Sequence, residues 1–309
     1  MVVHKLASLL EVARASNEVT GLKENDTWLL SLPLNHVGGF SVLLRTTLAQ
    51  AKLAVAGGHG LGSLAKNVST FSPSHLSLVP VMLQELLKPK NEIDFSTLKA
   101  VLVSGDALNS GLCGAALEAG IPLLSSYGST EAGSTAVSNS ISDEKASASV
   151  YMNRLAGIDV RISEDGEILL QGPNMFTGYL GQEEKSEWFS TGDLGEIDNE
   201  GGLKVTGRKS RIIVSGGENI HPEEIERLVL SISGVEGAAV MAEDCDKWGQ
   251  RPVLLIKTAN SRNELEEAIR AEMQRSLSSF KIPSEIRFVK EFSLLENMKK
   301  SYCAQNSES

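Results

Sequence analysis

The sequence predicts an α/β protein, with a smaller β segment and then a compact α+β module after its first half, and three successive textures carry that prediction. To about residue 130, short β-rich apolar runs alternate with segments of helical period, the pattern of a parallel sheet. After residue 150 the chain turns to hairpins. Near Arg208 a third texture begins, in which amphipathic helices and strands alternate again.

In the first texture the strands are Trp28-Leu-Leu-Ser-Leu, Lys52-Leu-Ala-Val-Ala, His75-Leu-Ser-Leu-Val and Ala100-Val-Leu-Val-Ser. Leu6, Leu9, Leu10 and Ala13 share one helical face, and Val81-Met-Leu-Gln-Glu-Leu-Leu and Gly111-Leu-Cys-Gly-Ala-Ala-Leu-Glu-Ala-Gly read as further helices. In the second, turns at Glu164-Asp-Gly and Asp198-Asn-Glu-Gly-Gly separate strands such as Glu167-Ile-Leu-Leu and Gly202-Leu-Lys-Val. In the third, Pro222 opens a helix carrying Glu223, Glu224, Ile225, Leu228 and Val229, followed by strands Ala238-Ala-Val-Met and Val253-Leu-Leu-Ile-Lys. A helix over about 262–277 and a strand Glu285-Ile-Arg-Phe-Val close it. The expected domains are therefore 1–208, with α/β character to about 149 and a β subdomain over about 150–208, then 209–295, with a disordered tail over 296–309.

Composition narrows the function. A net charge of −10, from 29 basic and 39 acidic residues, argues against a nucleic-acid binder, whose footprint is a clustered positive face. Cys113, Cys245 and Cys303 are far apart and form no C-x-x-C pair, so neither a disulfide framework nor a zinc site is indicated, and a reducing cytoplasm fits. No apolar run is long enough to span a bilayer, and Met-Val-Val-His-Lys-Leu lacks the apolar core of a signal peptide. A homo-oligomer stays open.

The chemistry concentrates in Ser190-Thr-Gly-Asp-Leu-Gly and in the block from Gly207 to Glu226. An Asp after a Thr-Gly turn can accept hydrogen bonds from both hydroxyls of a ribose, and an Arg a hairpin later can hold the same sugar or a phosphate with a fork of donors. Asp193 and Arg208 have that spacing, against a plain reading of Gly-Asp as a hairpin turn, and the Gly216-Gly217 pair lets backbone approach a ligand closely. Tyr127-Gly-Ser-Thr-Glu, taken alone, is a strand end and a turn. Gly58-His-Gly-Leu-Gly lacks the spacing of a dinucleotide loop and reads as an ordinary loop.

Four motifs in order and spacing, Leu32-Pro-Leu-Asn-His-Val-Gly-Gly, Ser126-Tyr-Gly-Ser-Thr-Glu-Ala-Gly, Trp188-Phe-Ser-Thr-Gly-Asp and the Gly207–Glu226 block, resemble the AMP-forming acyl-CoA synthetases among adenylate-forming enzymes. The likeness runs from about residue 4 to 293, and Gly166-Glu-Ile-Leu-Leu-Gln-Gly-Pro-Asn-Met-Phe-Thr-Gly-Tyr-Leu is similar to the 2-succinylbenzoate–CoA ligase branch of menaquinone synthesis. The resemblance implies the C-terminal part of an adenylate-forming enzyme, with an α/β sheet domain, a β subdomain and a small α+β lid domain. It implies an acid–thiol ligase using ATP/AMP, Mg2+ and coenzyme A on an aromatic carboxylate. The alternatives are another aryl- or acyl-CoA synthetase, or a non-catalytic remnant that binds nucleotide or a partner. By the resemblance Thr130 touches phosphate, Glu131 holds magnesium, Tyr127 and Gly128 lie against the nucleotide, and Gly105 lines the adenine. It makes Lys209 a hinge, against a plain reading as a solvated surface lysine, and sets Gly216 and Gly217, with Ser215, beside the pantetheine path. His36 is either the residue gating the acyl pocket or a satisfied structural histidine.

Three departures from the family stand out. A Ser/Thr/Gly-rich phosphate loop with its Lys is expected ahead of Val3-His-Lys-Leu and is absent from this sequence, so the chain reads as N-terminally incomplete and as unable to form acyl-adenylate from ATP by itself. Where the family ends in Gly-Lys, this chain has Asn297-Met-Lys-Lys, and Lys300 is the candidate for the adenylation Lys, with an exposed lysine pair as the competing reading. Val150-Tyr-Met replaces a common Val-Gly, so the loop before the β subdomain is expected to be distorted.

Overall fold

The computed structural model describes residues 1–56, 61–106, 108–141, 151–182, 187–259, 261–290 and 292. Lys300, most of the Gly58–Gly62 loop and Val150 lie outside the described residues. The chain divides into two compact units, one of Met1–Thr191 with Gly195–Val205, the other of Gly192–Leu194 with the chain from Thr206 onward. The division comes just ahead of Lys209.

The first unit opens with strand β1 (Val2–Val3) and helix α1 (Leu6–Thr20), then runs β2 (Thr27–Leu29), α2 (Val37–Ala49), β3 (Lys52–Ala54), α3 (Leu61–Phe71), β4 (His75–Leu78), α4 (Pro80–Leu87), β5 (Ala100–Val103), α5 (Ser110–Glu118) and β6 (Leu123–Tyr127). Two antiparallel strands, β7 (Val137–Ser140) and β8 (Asn153–Arg154), complete a seven-stranded sheet of order β3-β2-β4-β5-β6-β7-β8. From β3 to β6 the pairing is parallel, as the alternating runs predict. Every residue of β4 and β5 is buried, which is why these strands read as apolar runs rather than as alternation. The imidazole of His75 shares this core: its Nε2 donates to the Thr20 carbonyl at 3.1 Å and its ring lies 5.2 Å from that of Trp28, while burial pushes its pKa below the usual 6.5.

Helix ends follow local chemistry. Gly21, at φ 67°, ends α1 in the left-handed conformation; Asn109 caps α5 by accepting from the Leu112 amide at 2.7 Å; Pro80 opens α4. Helix α2, by contrast, starts on Gly38 and Gly39, poor helix formers, because the chain doubles back there. A Cβ on Gly39 would overlap the Pro33 carbonyl oxygen.

After β8 come β9 (Asp159–Ile162), β10 (Glu167–Gln171), β11 (Gly178–Tyr179), β12 (Phe189–Ile197) and β13 (Leu203–Arg208). They form a four-stranded sheet of order β13-β12-β10-β9 and a small ribbon in which β11 pairs with β1. Phe176, 1% exposed, centres the apolar cluster beneath them with Ile168, Leu170 and Leu203.

The second unit continues with β14 (Ile213–Ser215), β15 (Glu218–Ile220), α6 (Pro222–Leu230), β16 (Gly237–Cys245), β17 (Gly249–Lys257), α7 (Arg262–Ser276) and β18 (Glu285–Val289). Strands β16 and β17 pair antiparallel over their full length, and β18 runs parallel to β17. Ile225 and Val229 of α6 and Ile269 and Met273 of α7, all fully buried, pack on Leu254 and Ile256 of β17. Among the described residues no helix is long and apolar enough to cross a membrane.

The contrast between two glycines tests this packing. Gly39→Ala is expected to destabilise the protein by about 1–3 kcal/mol, the usual range for forced overpacking. Gly62→Ala in α3, where an added Cβ meets nothing within 4 Å, is expected to be neutral or to stabilise by up to about 1 kcal/mol. Urea unfolding of both variants checks the pair; equal effects would show that α2 does not make the close crossing.

Candidate functional site

Strand order fixes where the first unit can bind anything. The connection leaving β2 crosses to β3 at the sheet edge, whereas that leaving β4 goes to β5 on the other side, so the chain switches direction between β2 and β4. In open parallel sheets ligands bind beyond the carboxyl ends of the strands at such a switch. His36 follows β2, Gly105 follows β5, and Tyr127, Gly128, Thr130 and Glu131 end or follow β6, so these expected residues all lie at carboxyl ends of parallel strands.

The turn after β6 is built backbone first. Ser134 N donates to Ser129 O at 3.0 Å, Gly133 N to Thr130 O at 3.1 Å, and Ala136 N to Tyr127 O at 2.9 Å, which closes the turn before β7 begins. Gly128 is required there, since a Cβ would overlap the Ser134 carbonyl oxygen. Thr130 is exposed and Glu131 half-buried. Glu131 Oε1 accepts from the Tyr179 hydroxyl at 2.8 Å, and both the carboxylate and burial raise the phenol above its usual pKa of 10.0, burial first. No group of three or more metal-ligating side chains occurs among the described residues. A lone carboxylate suits Mg2+, which keeps several waters and takes phosphate oxygens, and does not suit a metal that needs an all-protein cage.

Gly105 adopts φ 92° after β5, a backbone state open to glycine. His36 precedes α2 at its N-terminal cap position and makes no capping bond with its side chain. Nine residues further along that helix lies a residue the motifs did not reveal: Arg45 is 1% exposed, donates from Nη2 to Thr135 Oγ1 at 3.2 Å, and lies 5.3 Å from the Trp28 ring. Burial lowers its pKa to about 10, and its Nε is buried with no hydrogen-bond partner among the described residues.

In the second unit Asp193 and Arg208 come together, with Arg208 Nε 3.3 Å from Asp193 Oδ1. Gly192, just before Asp193, adopts φ 75° inside β12, a left-handed state that favours glycine. Lys209 begins a short 3-10 turn ending at Arg211. Arg211 is clamped by α6: its Nη1 meets Glu223 Oε1 at 2.8 Å and its Nη2 meets Glu226 Oε1 at 2.7 Å. Gly216 and Gly217, at φ 61° and 88°, form the two-residue turn between β14 and β15, the left-handed pair that tight hairpins demand. The Trp248 ring covers Gly216, leaving no room for a Cβ, and Lys247 Nζ lies 4.8 Å from that ring's centroid. Trp248 was not visible as a neighbour of Gly216 from the sequence, because β15, α6 and β16 intervene before the chain returns.

Residues 1–180 match the AMP-binding enzyme family, and residues 224–299 match the AMP-binding enzyme C-terminal domain. The chain is 32% identical over 283 residues to the 2-succinylbenzoate–CoA ligase of Lactococcus lactis, covering 90% of this chain and 61% of that protein. Among solved structures, the o-succinylbenzoate CoA synthetase of Bacillus subtilis in complex with its acyl-adenylate intermediate aligns with a TM-score of 0.82 at 27% identity, covering 97% of this chain and 64% of that one. The same enzyme in complex with ATP and magnesium ion aligns with a TM-score of 0.81 at 27% identity over 97% of this chain and 65% of that one. The chain thus spans about three-fifths of the length of the curated relatives it matches. It belongs to the AMP-binding enzyme family.

Glu223 offers a pH test of the second unit. Burial pushes its pKa above the usual 4.5, and Glu226 adds to the rise, although Arg211 opposes it. A carboxyl whose pKa is raised by folding stabilises the fold below its ordinary value and loses that contribution as pH climbs through the raised one. Relative to Glu223→Gln, the native protein is therefore expected to lose stability as pH rises from 4.5, read from urea midpoints at constant salt. A native protein that gained on the variant over that range would show that the Arg211 pair outweighs burial.

Proposed function

We propose that this chain serves an AMP-forming carboxylate–CoA ligase whose acid is 2-succinylbenzoate, in the route to menaquinone. The observation that carries the reading is the Asp193–Arg208 pair, two charged side chains held 3.3 Å apart on the motif that marks a ribose site. The named relatives and the complexes with acyl-adenylate, ATP and magnesium support the substrates and cofactors. In the free protein the carboxylate and guanidinium satisfy each other; with AMP bound, Asp193 accepts from the ribose hydroxyls and Arg208 turns its donors to the sugar or phosphate. Thr130 donates to a phosphate oxygen. Tyr127, Gly128 and Gly105 receive the base and sugar, and Glu131 is the carboxylate that holds magnesium, which neutralises phosphate charge when bound.

The reaction takes two steps. A carboxylate oxygen of the acid attacks the α-phosphorus of ATP and pyrophosphate leaves; the CoA sulfur then attacks the acyl carbonyl, and AMP departs with the carboxyl oxygen it gained. Lys209 is the hinge between the two stances, His36 gates the acyl pocket, and Gly216 and Gly217, with Trp248 above Gly216, line the approach of the pantetheine thiol. Lys300 is the proposed adenylation lysine. The cytoplasm is the proposed compartment, a reducing one in which cysteine side chains stay as thiols.

Equilibrium binding of AMP tests the site and thioester formation from 2-succinylbenzoyl-adenylate and CoA tests the acid. Asp193→Ala is expected to weaken AMP binding roughly 10- to 100-fold, the cost of a lost charge-assisted hydrogen bond. AMP binding unchanged by this substitution would remove Asp193 from the site, and turnover of benzoyl-adenylate at the same rate would remove the assignment to 2-succinylbenzoate.

A further inference from the structure

The turn that carries Thr130 and Glu131 is gripped from outside by the β1–β11 ribbon. Val2 pairs with Tyr179 and Val3 with Gly178, and Thr177 N donates to Val3 O at 2.7 Å. Three bonds leave this ribbon for the turn. His4 Nε2 donates to the Thr130 carbonyl at 2.7 Å, Phe176 N donates to the Glu131 carbonyl at 2.8 Å, and the Tyr179 hydroxyl reaches Glu131 Oε1 at 2.8 Å. Both side chains lean on one buried ring: Phe176 lies edge-on 5.1 Å from Tyr179 and 6.5 Å from His4. The rings are therefore placed by the core, and the turn is placed by the rings.

We propose that Tyr179 and His4 are positioning residues of the Glu131 metal site, Tyr179 by occupying one carboxylate oxygen so that only the other meets the cation, and His4 by fixing the Thr130 backbone. A glutamate side chain surrenders considerable rotamer freedom when it takes up one pose, and a bond from a phenol already fixed by packing meets that cost before the ion arrives. The carbonyl of Thr130 can only accept, so His4 carries its proton on Nε2, and its Nδ1 is buried with no partner among the described residues. The imidazole thus has one polar contact there, and that contact is the turn. This inference rests on the reading of Glu131 as the magnesium carboxylate.

The test measures the gain in ATP affinity on adding Mg2+ over EDTA, beside metal-free AMP affinity and thermal unfolding. Tyr179→Phe keeps the ring on Phe176 and deletes only the hydroxyl; it is expected to lose roughly tenfold of the Mg2+-dependent gain while AMP affinity and melting temperature hold. His4→Leu should lose part of the same gain, and His4→Gln, which retains a donor, should recover it. A gain equal to the native one in Tyr179→Phe overturns the proposal, as does an equal loss in metal-free AMP binding, which would mark a general structural role. Glu131→Gln separates the two readings: if it abolishes the gain while Tyr179→Phe does not, the positioning role falls and the metal site stands. If Glu131→Gln leaves the gain intact, or the native protein shows none, the metal reading itself is wrong and the inference falls with it.

Discussion

The loop that presents the Thr130 hydroxyl and the Glu131 carboxylate side by side takes its shape from one backbone crossing. Gly128 lies where any side chain would overlap the Ser134 carbonyl oxygen, so the chain leaving β6 passes directly over the chain entering β7. Ser134 accepts a strained positive φ of 109° to make the crossing, and the Ser134 N to Ser129 O bond closes it. Once the crossing is set, Thr130 and Glu131 project from a fixed turn rather than from a free loop. Arg45 then supports the same crossing from inside the core, through its bond to Thr135 Oγ1. A buried guanidinium without a carboxylate partner is costly, and its lowered pKa reports the cost. The Trp28 face, 5.3 Å away, offsets part of it.

Much of this was legible in sequence wherever one period dominated. Helix α1 forms where the Leu6-Leu9-Leu10-Ala13 spacing marks it, although it buries Ser8, Val12, Ala13, Ala15 and Ser16 and leaves Leu6 61% exposed, and β18 occupies Glu285–Val289 as expected. The parallel sheet was legible because its central strands are buried on both faces and so are written in unbroken apolar letters. Helices α2 and α3 were not. Gly38 and Gly39 stand in the first turn of α2 because the backbone needs the space there, and glycines at that position read as a loop. The β1 and β11 strands are two residues each, too short for any period to register.

The candidate site divides along the same line. Residues set in a local motif, such as Asp193 after its Thr-Gly turn or Thr130 and Glu131 after Tyr127, could be singled out through the family resemblance those motifs carry. Residues that serve the site through contacts distant in sequence could not: His4 meets Thr130 across 126 positions, Tyr179 meets Glu131 across 48, and Arg45 meets Thr135 across 90. A histidine after two valines and an arginine in an apolar helix carry no local sign of what they touch. The Gly216-Gly217 pair was legible for one expected role and not for its packing. Its need for close approach was read as space for a ligand, whereas the structure also spends it on a left-handed hairpin turn and on the ring of Trp248.

The second unit shows how one helix can govern a short stretch of backbone. Helix α6 holds the chain on both sides of Arg208 and Lys209: Arg227 Nη1 donates to Thr206 O at 3.2 Å on one side, and Glu223 and Glu226 hold Arg211 on the other. Glu226 also accepts from the Val240 amide at 2.7 Å, so the Arg211 clamp is anchored in β16 and not only in the helix. The Glu223 carboxylate lies against Gly207, so a side chain there would have to push it aside. If the backbone turns at Lys209, the Arg211 clamp rides with α6 and keeps its bonds to Glu223, Glu226 and the Val240 carbonyl, which lie beyond the turn. The Thr206 and Gly207 contacts lie before it and must be given up. These contacts are the ones any such turn would have to break, and the hydrogen bond from Arg227 to the Thr206 carbonyl is worth about 1 kcal/mol net.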